Sequence, residues 1–498
     1  MLLTLKQATR NSLIYGLGNL SIKLIGLILF PLYTLHFSIA EFGTLGILEV
    51  SSQLFIAFFG LSLHSAFFRY YWDNQFLGKQ RSMLFNMLII LLFCIAIMFI
   101  ITIPLSFKIS QLLFDDIQYQ YLVTLMIISS GLQIINNVPA ILLRLQEKSV
   151  LYSVANIIKL VFTLILTIYF IIYRGRGLNG IYEAQILGQA IYLLFLLRYL
   201  IRNLQIKYDK FIIKVLLVFS FPLVFSSVSS ILLSVTDRYC LKFLADLSNV
   251  GLYSAGYKIA SAIAFIISAG QLAVTPMIYK KINDPDSKRF YSKIMTYFTY
   301  IVMIMVIGLS IFGKEVIKVL SQNSDYWDSF KIIPIISFSI VFSMLGYIAI
   351  TGLTIIKKTN IIATITIIIS IINLGLNLLF IPFFQSIGAA TATLLTQLIY
   401  YISIYYYAQK YYYIPYEMNK VVKMIMTGLV IIFIAIPVND LHLLVRLLIK
   451  IVLISSYPFV LYCLNCYEQI ELERIKGAWN KWKNLRNFFK NISGTRIE

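Results

Sequence analysis

Met83-Leu-Phe-Asn-Met-Leu-Ile-Ile-Leu-Leu-Phe-Cys-Ile-Ala-Ile-Met-Phe-Ile-Ile-Thr-Ile-Pro-Leu-Ser-Phe107 runs without a charged side chain until Lys108. A bilayer core of about 30 Å is crossed by roughly 20 apolar residues in a helix, so this stretch spans a membrane. Ile361–Phe384 repeats the pattern. Neither run alternates apolar and polar residues, as the strands of a membrane barrel would, so the spans are helices. The rest of the chain agrees. Of 498 residues 59% are hydrophobic and 13% charged, with a mean hydropathy of +0.84, whereas soluble domains are about one-quarter charged.

Fourteen spans are predicted: 12–34, 42–66, 84–107, 119–142, 150–173, 179–201, 212–236, 247–277, 289–312, 328–352, 359–382, 386–408, 418–436 and 442–462. Connections are short and no soluble domain is inserted. The eleven residues before the first span carry Lys6 and Arg10 without a small-residue cleavage site, and read as an uncleaved cytoplasmic segment.

The net charge of +21 raises the question of nucleic acid, and its placement answers it. With the N-terminus inside, most Lys and Arg residues fall on the inner connections, as in Arg69, Lys79 and Arg81, or Lys280, Lys281, Lys288, Arg289 and Lys293. That is the positive-inside pattern. It places both termini in the cytoplasm and leaves no surplus for a nucleic-acid partner. The Arg174/Arg176 loop runs against it.

The sequence also repeats. Gly180-Ile-Tyr through Gln189-Ala-Ile-Tyr192 aligns with Gly388-Ala-Ala through Gln397-Leu-Ile-Tyr400, Tyr33-x-Leu35-x-Phe37 with Tyr239-x-Leu241-x-Phe243, and Phe42-Gly43 with Val250-Gly251. An offset near 208 residues spans six helices, an even number, so the halves are parallel repeats of the kind transporters use. The expected organisation is an N-terminal lobe over 1–210, a C-terminal lobe over 211–410, two further spans over 411–465 and a cytoplasmic tail over 466–498. In that tail Ile475, Trp479, Trp482, Leu485 and Phe489 recur at helical spacing among lysines, the pattern of an amphipathic helix on anionic lipid.

Charge within a span is costly and marks a bundle interior or wet cavity. Lys23, Glu49, Lys159 and Lys258 lie two or more turns from their span ends, while Arg69, Asp237 and Arg238 lie near theirs. Small and polar stripes accompany them, as in Gly16, Asn19, Lys23 and Gly26, or Gly46, Glu49, Gln53 and Gly60; helix packing accounts for such stripes equally well. Three lysines against one glutamate favour an anionic substrate group such as a phosphate or diphosphate. Glu49 is left as a partner of Lys23 or as the site of a coupling ion, H+ or Na+. No other cofactor is expected. Three dispersed histidines, the lone Cys463-x-x-Cys466 pair and the absence of a GxxxxGK[ST] loop give no metal, redox or nucleotide site.

Asn11-Ser-Leu-Ile-Tyr-Gly-Leu-Gly-Asn19, Phe30-Pro-Leu-Tyr-Thr34, Glu41-Phe-Gly43 and Phe68-Arg-Tyr-Tyr71 resemble the polysaccharide-biosynthesis (Wzx-type) flippases. Thr236-Asp-Arg-Tyr239 and Val250-Gly-Leu-Tyr-Ser-Ala-Gly-Tyr-Lys-Ile259 resemble the start of that family's second lobe. The family belongs to the multidrug/oligosaccharidyl-lipid/polysaccharide exporter superfamily. The resemblance implies an all-α, V-shaped, two-lobed fold around a central cavity, in the bacterial cytoplasmic membrane. It implies alternating access and an undecaprenyl-diphosphate-linked oligosaccharide for O-antigen, capsule or exopolysaccharide assembly, alongside a polymerase and a chain-length regulator. Lys23 and Lys258 would attract the diphosphate, Lys159 would line the path, and Arg69 and Arg238 are further candidates. A peptidoglycan-precursor flippase is an equally cationic alternative. A cation-coupled drug exporter is disfavoured by Lys23 where that class has acids, and a membrane-embedded polymerase or glycosyltransferase by the lack of a large external loop.

Overall fold

The computed structural model describes residues 26–280, 284–356, 358–469 and 471–473. Lys23, most of the first predicted span and the amphipathic tail helix lie outside the described residues. The described chain begins with α1 (Phe30–His36), α2 (Ile39–Phe59), α3 (Leu63–Tyr70) and α4 (Gln80–Thr102). It continues with α5 (Ser106–Phe114), α6 (Gln120–Leu145), α7 (Ser149–Ile168) and α8 (Gly177–Arg202). The second half holds α9 (Lys210–Leu244), α10 (Leu247–Ala260), α11 (Ala262–Lys280), α12 (Ser287–Ile311) and α13 (Gly313–Leu320). It ends with α14 (Ile332–Ile355), α15 (Thr359–Tyr411), α16 (Met418–Ala435) and α17 (Leu443–Cys463).

Local chemistry sets several boundaries. Ser38 and Glu41 form a reciprocal capping box at the start of α2, with the Ser38 N–H donating to Glu41 Oε2 at 2.8 Å. Asp209 and Asp246 cap α9 and α10 by accepting backbone N–H bonds. Leu61 and Ser62, both with φ near +48°, turn the chain sharply after α2, so predicted span 42–66 is two helices.

Among the described residues, twelve helices are long and apolar enough to cross a membrane. One of them, α15, has 53 residues, far more than one crossing needs. It folds back at Gln385, whose backbone is not helical, and Asn373 of one arm donates to Thr396 Oγ1 of the other at 3.0 Å. Its arms are the predicted spans 359–382 and 386–408. The predicted span 247–277 also differs: it is α10 and α11, separated at Ser261, whose hydroxyl bonds back to the Lys258 carbonyl at 2.7 Å.

Among the described residues the fold is an all-helical membrane bundle whose two halves repeat one another. Corresponding elements recur near the offset read from the sequence: α2 and α10 start 208 residues apart, α4 and α12 207, α5 and α13 207. Lipid offers no hydrophobic drive for helix association, so close backbone approach and polar contacts hold such bundles. The α2–α10 crossing depends on the former. A methyl group on Gly43 would lie 1.9 Å from the Leu247 carbonyl oxygen, and one on Gly251 would lie 2.0 Å from that of Ile39. The two glycines of the sequence repeat therefore face each other across the lobes. The last helix is held by polar contacts: fully buried Lys450 of α17 donates to both Glu315 oxygens of α13 at 2.8 and 2.9 Å.

Candidate functional site

From the glycine crossing, α2 and α10 run side by side and then diverge. At their Ser38 end they are sealed. Tyr326, fully buried, donates to the carbonyl oxygens of Phe37 and Ser38 at 2.9 and 3.0 Å. Its ring packs edge-on against Phe30 and Phe42, with centroids 6.4 and 5.6 Å away. Thr34 donates to the Leu320 carbonyl at 3.2 Å, and Lys242 pairs with Asp115 between the halves.

Below the seal the helices enclose a cavity of about 600 Å³. Glu49, the central residue of α2, reaches it from one lobe and Lys258 of α10 from the other, 3.4 Å apart. The Lys258 ammonium also lies 5.3 Å from the Phe42 ring centroid and 5.8 Å from that of Tyr33, within cation–π range. Gly26 leaves room for this side chain, since a methyl group there would meet Lys258 Cε at 2.9 Å. Lys159 enters from α7, donating to Gln133 Oε1 at 3.0 Å, with no carboxylate partner among the described residues. Arg238 stacks over Tyr257, 4.8 Å from its ring centroid.

Thus Lys159, Lys258, Arg238 and Glu49, distant in sequence, meet in one chamber, with three cations and one carboxylate among its described lining residues. Asp237 does not line it. It is buried behind Arg238, accepting the Tyr253 hydroxyl and the Arg238 backbone N–H at 2.8 Å. Arg69 lies elsewhere, because the turn at Leu61 and Ser62 carries α3 away from the α2 axis. Its exposed guanidinium pairs with Asp73 at 3.3 Å. Lys23 lies outside the described residues. Glu49, read from the sequence as a partner of Lys23 or a coupling-ion site, pairs among the described residues with Lys258.

Sequence reasoning placed Gln53 in a polar stripe with Glu49 but missed the cavity's other amides. Gln53, Gln133, Gln185 and Gln189 come from α2, α6 and α8. The signal was present as two glutamines four apart in an apolar helix, which one helical face carries together. A second cavity of about 480 Å³ shares Gln53 and extends toward the Ser62 end of α2. It contains Asn137, His64 and four serines and has no Lys, Arg, Asp or Glu among its described lining residues.

A two-lobed helical membrane fold with an enclosed charged chamber is transporter architecture. The family model for polysaccharide biosynthesis proteins matches residues 8–281. The chain belongs to that family. Its fold is shared with solved transporters at low identity. A lipid II flippase, MurJ, in an inward closed conformation matches with a TM-score of 0.72 at 15% identity, over 90% of this chain and 99% of that one. The Vibrio cholerae MATE transporter VcmN matches with a TM-score of 0.60 at 14% identity, over 81% and 96%. A Pyrococcus furiosus transporter of the MOP superfamily, described as having a binding pocket of reverse polarity, matches with a TM-score of 0.62 at 14% identity, over 81% and 95%. No curated protein sequence matches significantly. Family and fold together make this a multi-pass membrane protein of polysaccharide biosynthesis with the fold of solved transporters.

Proposed function

We propose that this protein turns an undecaprenyl-diphosphate-linked oligosaccharide repeat unit from the inner to the outer leaflet of the bacterial cytoplasmic membrane, by alternating access, for surface polysaccharide assembly. The observation that carries this reading is the chamber of Lys159, Lys258, Arg238 and Glu49 enclosed between the lobes. Its excess of cations suits a diphosphate, which is attracted more strongly in a water-poor setting than in bulk. A drug cation would meet repulsion there. With both termini cytoplasmic, the sealed Ser38 end faces outward and the conformation is inward-facing. Binding of the diphosphate competes with Glu49 for Lys258, weakening a contact that joins the lobes. Lys23 would add to the anion site from the first span. The protein itself makes or breaks no covalent bond in this scheme. A coupling ion, if used, has Glu49 as its candidate carboxylate. A polymerase and a chain-length regulator would receive the turned units.

The test replaces Lys159 and Lys258 by Ala in cells deleted for the native gene. Loss of surface polysaccharide, with single repeat units accumulating on the cytoplasmic face, supports the proposal. Wild-type polysaccharide and intermediates in both variants would remove the chamber from the mechanism. Accumulation of outward-facing units would assign the chain to a later, polymerising step, and accumulation of peptidoglycan precursor to that pathway.

A further inference from the structure

The chamber has two walls, and Glu49 and the Gln133-bonded Lys159 stand on the first-half one. Arg238 and Lys258 stand on the second-half side, on α9 and α10. Facing them are four carboxamides, Gln53, Gln133, Gln185 and Gln189, on three helices of the first half. Carboxamides in an apolar bundle usually bond to neighbouring helices, and Gln189 does so through Nε2, donating to Ser129 at 3.1 Å. Its Oε1, however, is buried without a partner among the described residues, as is the Thr163 hydroxyl on the same wall. Gln189 is 5% exposed and Thr163 3%. The Gln53 and Gln185 side chains, one exposed and the other half-buried, make no hydrogen bond with any described residue. A buried unpaired polar group costs about 1–3 kcal/mol, so the Gln189 and Thr163 oxygens favour a ligand that pairs them.

The ligand's chemistry follows from the groups on offer. A carboxamide presents a donor pair and an acceptor without charge, matching a hydroxyl that both donates and accepts. Beyond Gln53 the second cavity continues with Asn137 and His64 and no charged lining residue among those described. Gln53 thus stands where the charged chamber passes into an uncharged cavity. We infer that the carboxamide wall and the adjoining uncharged cavity form the glycan subsite, reading the hydroxyls of neutral sugar rings while the cations hold the diphosphate. This assignment rests on the proposed flippase reading. Gln53 and Gln185 are specificity-determining, Gln53 at the junction with the second cavity.

The experiment measures binding to the purified full-length protein in detergent. The probes are farnesyl diphosphate and farnesyl diphosphate carrying one glucose, galactose, rhamnose or N-acetylglucosamine. Wild-type protein is expected to bind the bare diphosphate and at least one sugar-bearing probe about tenfold more tightly, as one charge-free hydrogen-bonded pair is worth. Gln53→Ala and Gln185→Leu should abolish that ratio while leaving bare farnesyl diphosphate affinity and thermal stability unchanged. Lys258→Ala should weaken all probes alike. The inference fails if no sugar improves binding to wild type, or if the glutamine variants weaken bare and sugar-bearing probes equally. Failure of wild type to bind bare farnesyl diphosphate would overturn the anion reading itself, and the subsite assignment with it.

Discussion

The same two helices, α2 and α10, meet in opposite ways within a few turns. At Gly43 and Gly251 the backbones are so close that neither position has space for a methyl group. Two turns deeper, Glu49 and Lys258 hold them apart around a polar chamber. Gly46 and Ser254 mark the transition, since a methyl group on Gly46 would reach Ser254 Oγ at 2.5 Å. Small residues make a dry seal because backbones can touch. Long charged ones make a cavity because their ends need water or each other. A crossing that is tight at one end and charged in the middle is a natural fulcrum for lobes that part on one side at a time.

Breaking the seal should have the largest effect. Gly43→Val forces its side chain into the Leu247 carbonyl and is expected to cost about 3 kcal/mol by overpacking, read as a lowered thermal midpoint in detergent with loss of surface polysaccharide. Gly308→Ala, where a methyl group meets nothing within 4 Å, should be neutral or stabilising. If both glycines tolerate substitution equally, the seal is not set by backbone approach.

On the chamber side, Lys159→Ala removes a cation that lacks a carboxylate partner among the described residues. It should weaken binding of a diphosphate probe by about 1.5–3 kcal/mol, roughly ten- to a hundredfold, with little change in midpoint because the site opens to the cavity. A smaller effect is expected at the seal from Tyr326→Phe. Ring packing survives but the bonds to the Phe37 and Ser38 carbonyls do not, a loss of about 1 kcal/mol. Labelling of an Ala40→Cys reporter, half-buried at the Ser38 end, should speed up as that end opens more often. The Glu49–Lys258 pair should contribute below about 1 kcal/mol to stability, as partly exposed pairs do. A double-mutant cycle with Glu49→Gln and Lys258→Met measures it, and a markedly larger coupling would make the pair a structural clamp in place of a displaceable contact.

The smallest effect lies away from both regions. Glu417, at the start of α16, is pushed upward by burial, but hydrogen bonds from Lys420, Lys293 and Thr296 outweigh this and hold it at about 2. A depressed carboxyl stabilises the fold above its unfolded value and loses that contribution as pH falls through the folded value. The midpoint should therefore decline between about pH 4.5 and 2, and Glu417→Gln should flatten that decline. A flat wild-type profile would show that the Lys293 network adds nothing.

Much of the fold was legible because membrane helices announce themselves by length and apolarity. Met83–Phe107 needed no partner to be read, and α4 is its span. The repeat was legible because Phe42-Gly43 and Val250-Gly251 serve the same crossing. Less legible were the breaks. Leu61 and Ser62 adopt left-handed backbone without a glycine, so nothing in composition warned that α3 would carry Arg69 away. The site was half legible. Lysine within a span signals a cavity through its solvation cost, whereas glutamine carries no such penalty and reads equally as packing. That is why Gln133 and Gln185 emerged only in three dimensions, and why Gln53 read as part of a packing stripe.

By itself, then, the sequence determined that the chain is a helical, multi-pass, internally repeated membrane protein, because hydropathy and charge placement act residue by residue along the chain. Tertiary structure decided which charges meet. Glu49 and Lys258 are 209 positions apart, and only the crossing of α2 and α10 makes them partners. It also decided that Asp237 turns inward to Tyr253 while its neighbour Arg238 faces the chamber. One step along a helix rotates a side chain by about 100°, and what lies in that direction is set by helices that the local sequence does not contain.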